Sequence, residues 1–150
     1  MIPHRPPRGF TLVELVMVIV VIGILAVVAM PRMLDLTMWR LKAFGDEFVA
    51  QTLSVERLAL AQRRPILATI APTGVTYTYV TGGATVASVP CPTAIASCIS
   101  EATRTVTFNT GNSGSAVTST GSAITVTVAS GSYSQAYRIE TETGLIYPSP

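Results

Sequence analysis

Phe10-Thr11-Leu12-Val13-Glu14-Leu15-Val16-Met17-Val18-Ile19-Val20-Val21-Ile22-Gly23-Ile24-Leu25-Ala26-Val27-Val28-Ala29-Met30 is a run of 21 residues in which Glu14 carries the only charge. From Leu15 to Met30 every residue is apolar except Gly23. A helix of that length spans about 30 Å, the thickness of a bilayer's hydrocarbon core. Ahead of it lies a short leader, Met1 to Gly9, with Arg5 and Arg8. Positive charge on that side predicts that the leader stays cytoplasmic and the remainder is exported. The run is longer than the apolar region of a secretory signal peptide, and no small-x-small cleavage site follows before Pro31. Composition alone therefore reads as a single-pass signal anchor. Glu14 complicates that reading, because a carboxylate in a membrane helix is costly and usually functional. Its place near the helix start leaves a tolerated boundary charge as the alternative.

Arg8-Gly9-Phe10-Thr11-Leu12-Val13-Glu14-Leu15 resembles the processing site of type IV pilins and pseudopilins, and the likeness continues through the apolar run to Pro31. The resemblance implies that a prepilin peptidase cuts between Gly9 and Phe10 and that the new amino group on Phe10 is N-methylated. It implies that Glu14 neutralises the amine of a neighbouring subunit and sets the stagger between subunits. The physics agrees, since an unpaired charge in a low dielectric costs several kcal/mol. Gly9 offers the peptidase close access to the scissile bond. Gly23 and Pro31 bracket a stretch where the helix can loosen, because Gly weakens helices and Pro removes a hydrogen bond. Close helix packing at Gly23 and a simple kink at Pro31 are the alternatives. The implied partners are the prepilin peptidase, other pilin or pseudopilin subunits, an assembly ATPase and a platform protein of the inner membrane.

Arg32 to Arg64 keeps a helical pattern. Leu34, Met38, Leu41, Phe44, Phe48, Val55 and Leu58 recur mostly at three- and four-residue steps. One long helix from Phe10 to Arg64 is expected, its first half apolar all round and its second half amphipathic. Pro65 ends it, with Arg63 and Arg64 in the last turn, where positive charge suits the helix dipole. Trp39 is expected to anchor at the interface or pack on the following domain.

Beyond Pro65 the composition changes. Residues 66 to 137 hold 25 Ser and Thr among 72 residues and two charges, Glu101 and Arg104. Short β-rich runs follow at Ile66–Ile70, Val75–Val80, Thr85–Val89, Arg104–Phe108, Ile124–Val128 and Gln135–Glu140, with Thr143-Gly144 turning a last hairpin into Leu145–Tyr147. Alternation such as Ile124/Val126/Val128 with Thr is the period of half-buried strands. The expected fold is α+β: a long N-terminal helix packed on a C-terminal antiparallel domain of six to eight strands, in one sheet or two. The expected division is leader 1–9, membrane and assembly helix 10–31, amphipathic helix 32–64 and periplasmic β-domain 65–150.

Cys91 and Cys98 are the only cysteines. In an exported domain an even count favours a disulfide. No metal site is expected, since the only histidine, His4, lies in the leader. No cofactor is expected either.

The distal segment Val106–Gly114, the run Arg138–Tyr147 and the helix end Ala59-Leu60-Ala61-Gln62-Arg63-Arg64 resemble the GspH/FimT-like minor pseudopilins. The minor pilin of the mannose-sensitive haemagglutinin (MSHA) system is similar in the same regions. Phe108–Gly114 also reads simply as a Gly-rich connection between strands. The leading function is thus a structural subunit, minor pilin or pseudopilin, of a type IV pilus or a type II secretion pseudopilus. It is expected in the bacterial inner membrane as a single pass, with its C-terminal domain periplasmic, and then in the filament. The alternative is a binding module at a filament tip, an adhesin or a DNA receptor. DNA binding needs a cluster of Lys and Arg, and from residue 66 onward there are only Arg104 and Arg138 against Glu101, Glu140 and Glu142. An enzyme is not expected, for no nucleophile–base pair is in view. The formal net charge of +2 belongs to the leader: from Phe10 onward eight Lys and Arg face eight Asp and Glu.

Overall fold

The computed structural model describes the backbone of residues 10–33 and 36–150, and the side chains of 10–27 and 36–150. Residues 1–9, expected as a leader, and with them Gly9, lie outside the described residues. The chain divides at Asp35/Leu36 into two units. The single helix expected from Phe10 to Arg64 is found as α1 (Leu12–Met33) and α2 (Leu36–Gln62), with residues 34 and 35 outside the described part.

The first unit is α1. Thr11 stands just before it and accepts a hydrogen bond from the Glu14 N–H at 3.3 Å through its Oγ1. Thr11 is thus the N-cap, and Thr-x-x-Glu is the sequence of a capping box. Leu12 through Val27 are exposed at every described position. Among the described residues no helix is long and apolar enough to cross a membrane. The described side chains of α1 stop at Val27, short of the end of the expected 10–31 segment.

The second unit is built on one stripe of α2. Leu41, Phe44, Gly45, Phe48, Thr52, Val55 and Ala59 are buried, a three- and four-residue spacing that keeps one side of the helix inward. Leu58 is only half-buried and Met38 is exposed; Gly45, Thr52 and Ala59 join the stripe, Thr52 in the gap the sequence pattern left between Phe48 and Val55 and Ala59 beside Leu58. Trp39 is exposed, with the Lys42 Nζ 5.9 Å from its ring centroid.

Eight strands follow: β1 (Ile66–Ala71), β2 (Gly74–Tyr79), β3 (Thr85–Pro90), β4 (Arg104–Phe108), β5 (Val117–Thr118), β6 (Ile124–Ser130), β7 (Tyr133–Ile139) and β8 (Ile146–Ser149). All pairings are antiparallel and make two sheets, β3-β2-β1-β4-β5 and β6-β7-β8. Alternate residues Ile66, Ala68 and Ile70 of β1, Val106 and Phe108 of β4, and Ile124, Val126 and Val128 of β6 point into the core. Helix α2 lies against strands of both sheets, β1 and β3 of the larger and all three of the smaller. The sequence pattern missed only β5, two residues long and too short to show a period.

Two small bridges seam the sheets together. Ala116 and Glu142 exchange both backbone hydrogen bonds, at 2.7 and 2.8 Å, and Ile99 pairs with Val128. Arg63 and Arg64 correct the sequence reading. Helix α2 stops at Gln62, Arg63 is left-handed at φ 52°, and the Arg64 guanidinium stacks on Tyr79 at 4.1 Å from the ring centroid. Pro65 disfavours helical geometry at the residue before it, so the chain leaves the helix early.

Two tyrosines carry polar groups into the core. Thr52 Oγ1 donates to the Phe48 carbonyl at 2.7 Å, which leaves it to accept the Tyr77 hydroxyl, also at 2.7 Å. Tyr137 meets Phe48 edge-on, 6.0 Å between centroids, and lies over Gly45, where a Cβ would come within 2.7 Å of the ring carbon Cζ. Gly45 sits mid-helix because only a bare backbone makes room for that phenol.

Thr52→Val should strand the Tyr77 hydroxyl and cost about 1–3 kcal/mol, with Thr52→Val/Tyr77→Phe recovering most of it in urea unfolding. Burial pushes the Tyr77 phenol upward. Burial first, then Tyr133 and Asp46 nearby, pushes Tyr137 up to about 12. Both shifts favour the neutral phenol in the fold. Stability is therefore full below the ordinary tyrosine value of about 10 and falls as pH rises towards the folded value. Thermal midpoints should drop between pH 9 and 11.5, and less steeply in Tyr137→Phe; equal slopes would contradict this.

Candidate functional site

The candidate site is the start of α1. Thr11 caps it, and Leu15 N–H donates to the Thr11 carbonyl at 3.2 Å. Glu14 is therefore the third helical residue, in the first turn, where a carboxylate suits the positive end of the helix dipole. Glu14, Met17, Val18, Val21 and Ile22 line one shallow groove along the helix. Their three- and four-residue spacing puts one carboxylate at the end of an otherwise apolar face. Phe10, just ahead of the cap, is exposed.

The structure brings Phe10 and Glu14 to the same helix end and keeps Gly23 and Pro31 at a distance from it along α1. The backbone is helical through both. At Gly23 nothing lies within 4 Å of where a Cβ would stand. Pro31 has no N–H to offer the Val27 carbonyl; its side chain is outside the described residues. Cys91 and Cys98 form a disulfide with Cα atoms 5.7 Å apart, in the other unit. Among the described residues no three His, Cys, Asp or Glu gather where a metal ion would bind.

Residues 5–30 match the prokaryotic N-terminal methylation motif. The chain carries that motif. It spans the whole cap, Glu14 and the groove, together with residues 5–9. The chain is also similar to the type IV narrow pilus major component PilA5 of Thermus thermophilus, with 44% identity over 59 residues. That match covers 39% of this chain and 51% of the relative, so the chain spans about half the length of the protein it resembles. No solved structure matches.

Other positions matter that the sequence reading passed over. Asn109, in the stretch that reads as a Gly-rich connection, is buried and left-handed at φ 54°. Its Nδ2 donates to the Ala59 carbonyl at 2.9 Å, and its Oδ1 accepts from the Gly114 N–H at 3.0 Å. Ala59 is in the last turn of α2, and its carbonyl also accepts the Arg64 N–H at 3.1 Å, so Asn109 is a second donor that ties the end of the helix to the connection after β4. Asn is one of the few side chains at ease in that backbone region; this was the signal available in the sequence. Glu101 accepts the Thr127 N–H at 2.8 Å through Oε2. On the outer face Glu140 takes the Tyr147 hydroxyl at 2.5 Å and Arg138 Nε at 2.7 Å, which hold its carboxyl below the usual range. Asn109→Ala should lose about 1–3 kcal/mol, seen as a lower thermal midpoint with the α1 signal unchanged.

Proposed function

We propose that this chain is a structural subunit of a type IV pilus or a type II secretion pseudopilus. The observation that carries the proposal is the methylation motif over residues 5–30, with Phe10 and Glu14 together at the capped start of an apolar helix. In this reading the leader 1–9 is removed by a prepilin peptidase between Gly9 and Phe10, and Phe10 is N-methylated. The segment 10–31 holds the subunit in the inner membrane as a single pass and then enters the filament core. The β-domain is periplasmic and later faces outward. Glu14 neutralises the amine of a neighbouring subunit's Phe10, and Gly23 and Pro31 supply local give to the helix.

The work is polymerisation, and no chemistry on the subunit is required. The peptidase, an assembly platform and other subunits are the partners. Ala59–Arg64 and Arg138–Tyr147 resemble GspH/FimT-like and MSHA minor subunits, whereas the Thermus relative is named a major component, so both minor and major roles lie within this reading. Phosphate recognition has little to work with beyond residue 66, where Arg138 is already paired with Glu140.

Mass spectrometry of the mature protein should find Phe10 as the first residue with one added methyl group; any other start overturns the peptidase assignment. Glu14→Ala should insert in the membrane at wild-type levels yet reduce filament assembly at least tenfold in a shearing assay. Unimpaired assembly would remove its register role.

A further inference from the structure

Strand β6 is the edge of the three-stranded sheet, and its outer side is not bare. Ala129 N–H donates to the Cys98 carbonyl at 3.0 Å, Ser100 N–H donates to the Thr127 carbonyl at 3.0 Å, and Thr127 N–H donates to Glu101 Oε2 at 2.8 Å. The segment Cys98–Glu101 thus covers β6, although only Ile99 counts as paired with it. The same segment reaches back to the larger sheet. Cys98 N–H donates to the Pro72 carbonyl at 3.0 Å, in the turn between β1 and β2. Cys98 and Ile99 are buried, and Cys91, directly after β3, ties Cys98 in place through the disulfide. Pro92 to Ser97, between the two cysteines, is mostly exposed and has no strand or helix of its own. Without the covalent tie, this loop gives the segment its freedom.

We propose that Cys91–Cys98 is a redox latch that holds the Cys98–Glu101 segment on the edge of β6 and so keeps the two sheets seamed on that side. A dithiol reductant opens it. One thiolate of the reductant attacks Sγ of the less buried Cys91, the S–S bond breaks, and Cys98 leaves as a thiolate that takes up a proton. The second reductant thiolate then displaces Cys91 as a thiol, and the reductant departs as its own cyclic disulfide. Two electrons and two protons pass to the protein. In the reduced chain the closed segment is held only by its hydrogen bonds and by burial of Cys98 and Ile99. The unlatched form belongs to reducing compartments and the closed form to oxidising ones, so the β6 edge becomes protected once the domain is exported. A protected edge matters in a Ser- and Thr-rich domain of low charge, because an open edge is a template for pairing with another chain.

The test is amide hydrogen exchange of the full chain in detergent, oxidised and after reduction with dithiothreitol and blocking of both thiols. Loss of a small closed loop should speed local opening by about 30- to 100-fold. The amides of Thr127, Ala129 and Ser100 should accelerate by that factor, while those of β1 and β4 change less than threefold. Cys91→Ser/Cys98→Ala, never treated with reductant or blocking agent, should reproduce the pattern. Unchanged exchange at Thr127 and Ala129 overturns the latch. So does an equal acceleration across β1, β4 and β6, which marks a uniform loss of stability instead.

Discussion

A single helix serves two sheets, and residues 36–150 depend on that constraint. The buried stripe of α2 must be wide enough to cover strands from both sheets and shallow enough for them to approach. Large residues alone would not fit. Gly45 leaves room for Tyr137, Thr52 gives the Tyr77 hydroxyl a partner, and Ala59 lets the Asn109 amide reach a helix carbonyl. Apolar burial supplies most of the stabilisation, while these three small residues determine how the strands dock.

Low charge has different consequences in the two units. Along α1 it leaves one carboxylate at the head of an apolar face, so the position of Glu14 carries nearly all the polar information in that helix. Beyond residue 66, three of the five charged residues, Glu101, Arg138 and Glu140, make hydrogen bonds that hold the strands. Glu101 caps the edge of β6, Glu140 gathers Arg138 and Tyr147, and Arg64 lies on Tyr79.

Much of the fold was legible in the sequence because periodicity survives without tertiary knowledge. The alternation in Ile124/Val126/Val128 and the three- and four-residue steps from Leu41 to Val55 each mark a face that must be buried. The methylation motif was legible too, because Gly9-Phe10-Thr11-Leu12-Val13-Glu14 is a local word whose meaning lies in adjacent residues. Asn109 and Glu101 were not legible: each bonds to a residue far along the chain, 50 positions away for Ala59 and 26 for Thr127. The end of α2 was placed too late for a related reason, since Pro65 acts on the backbone before it and the stacking of Arg64 on Tyr79 depends on a strand that follows.

The sequence by itself determined an apolar helix headed by Glu14, an amphipathic helix, a run of antiparallel strands and a cysteine pair close enough in the chain to join. These follow from composition and period, which are properties of neighbours. Only the tertiary structure decided that the strands split into five and three, that α2 covers both sheets, and that the disulfide-bound segment closes the edge of β6. Strand alternation says which side of a strand is buried but not which strand lies beside it. Pairing is settled by which edges find their hydrogen-bond partners once the core has formed.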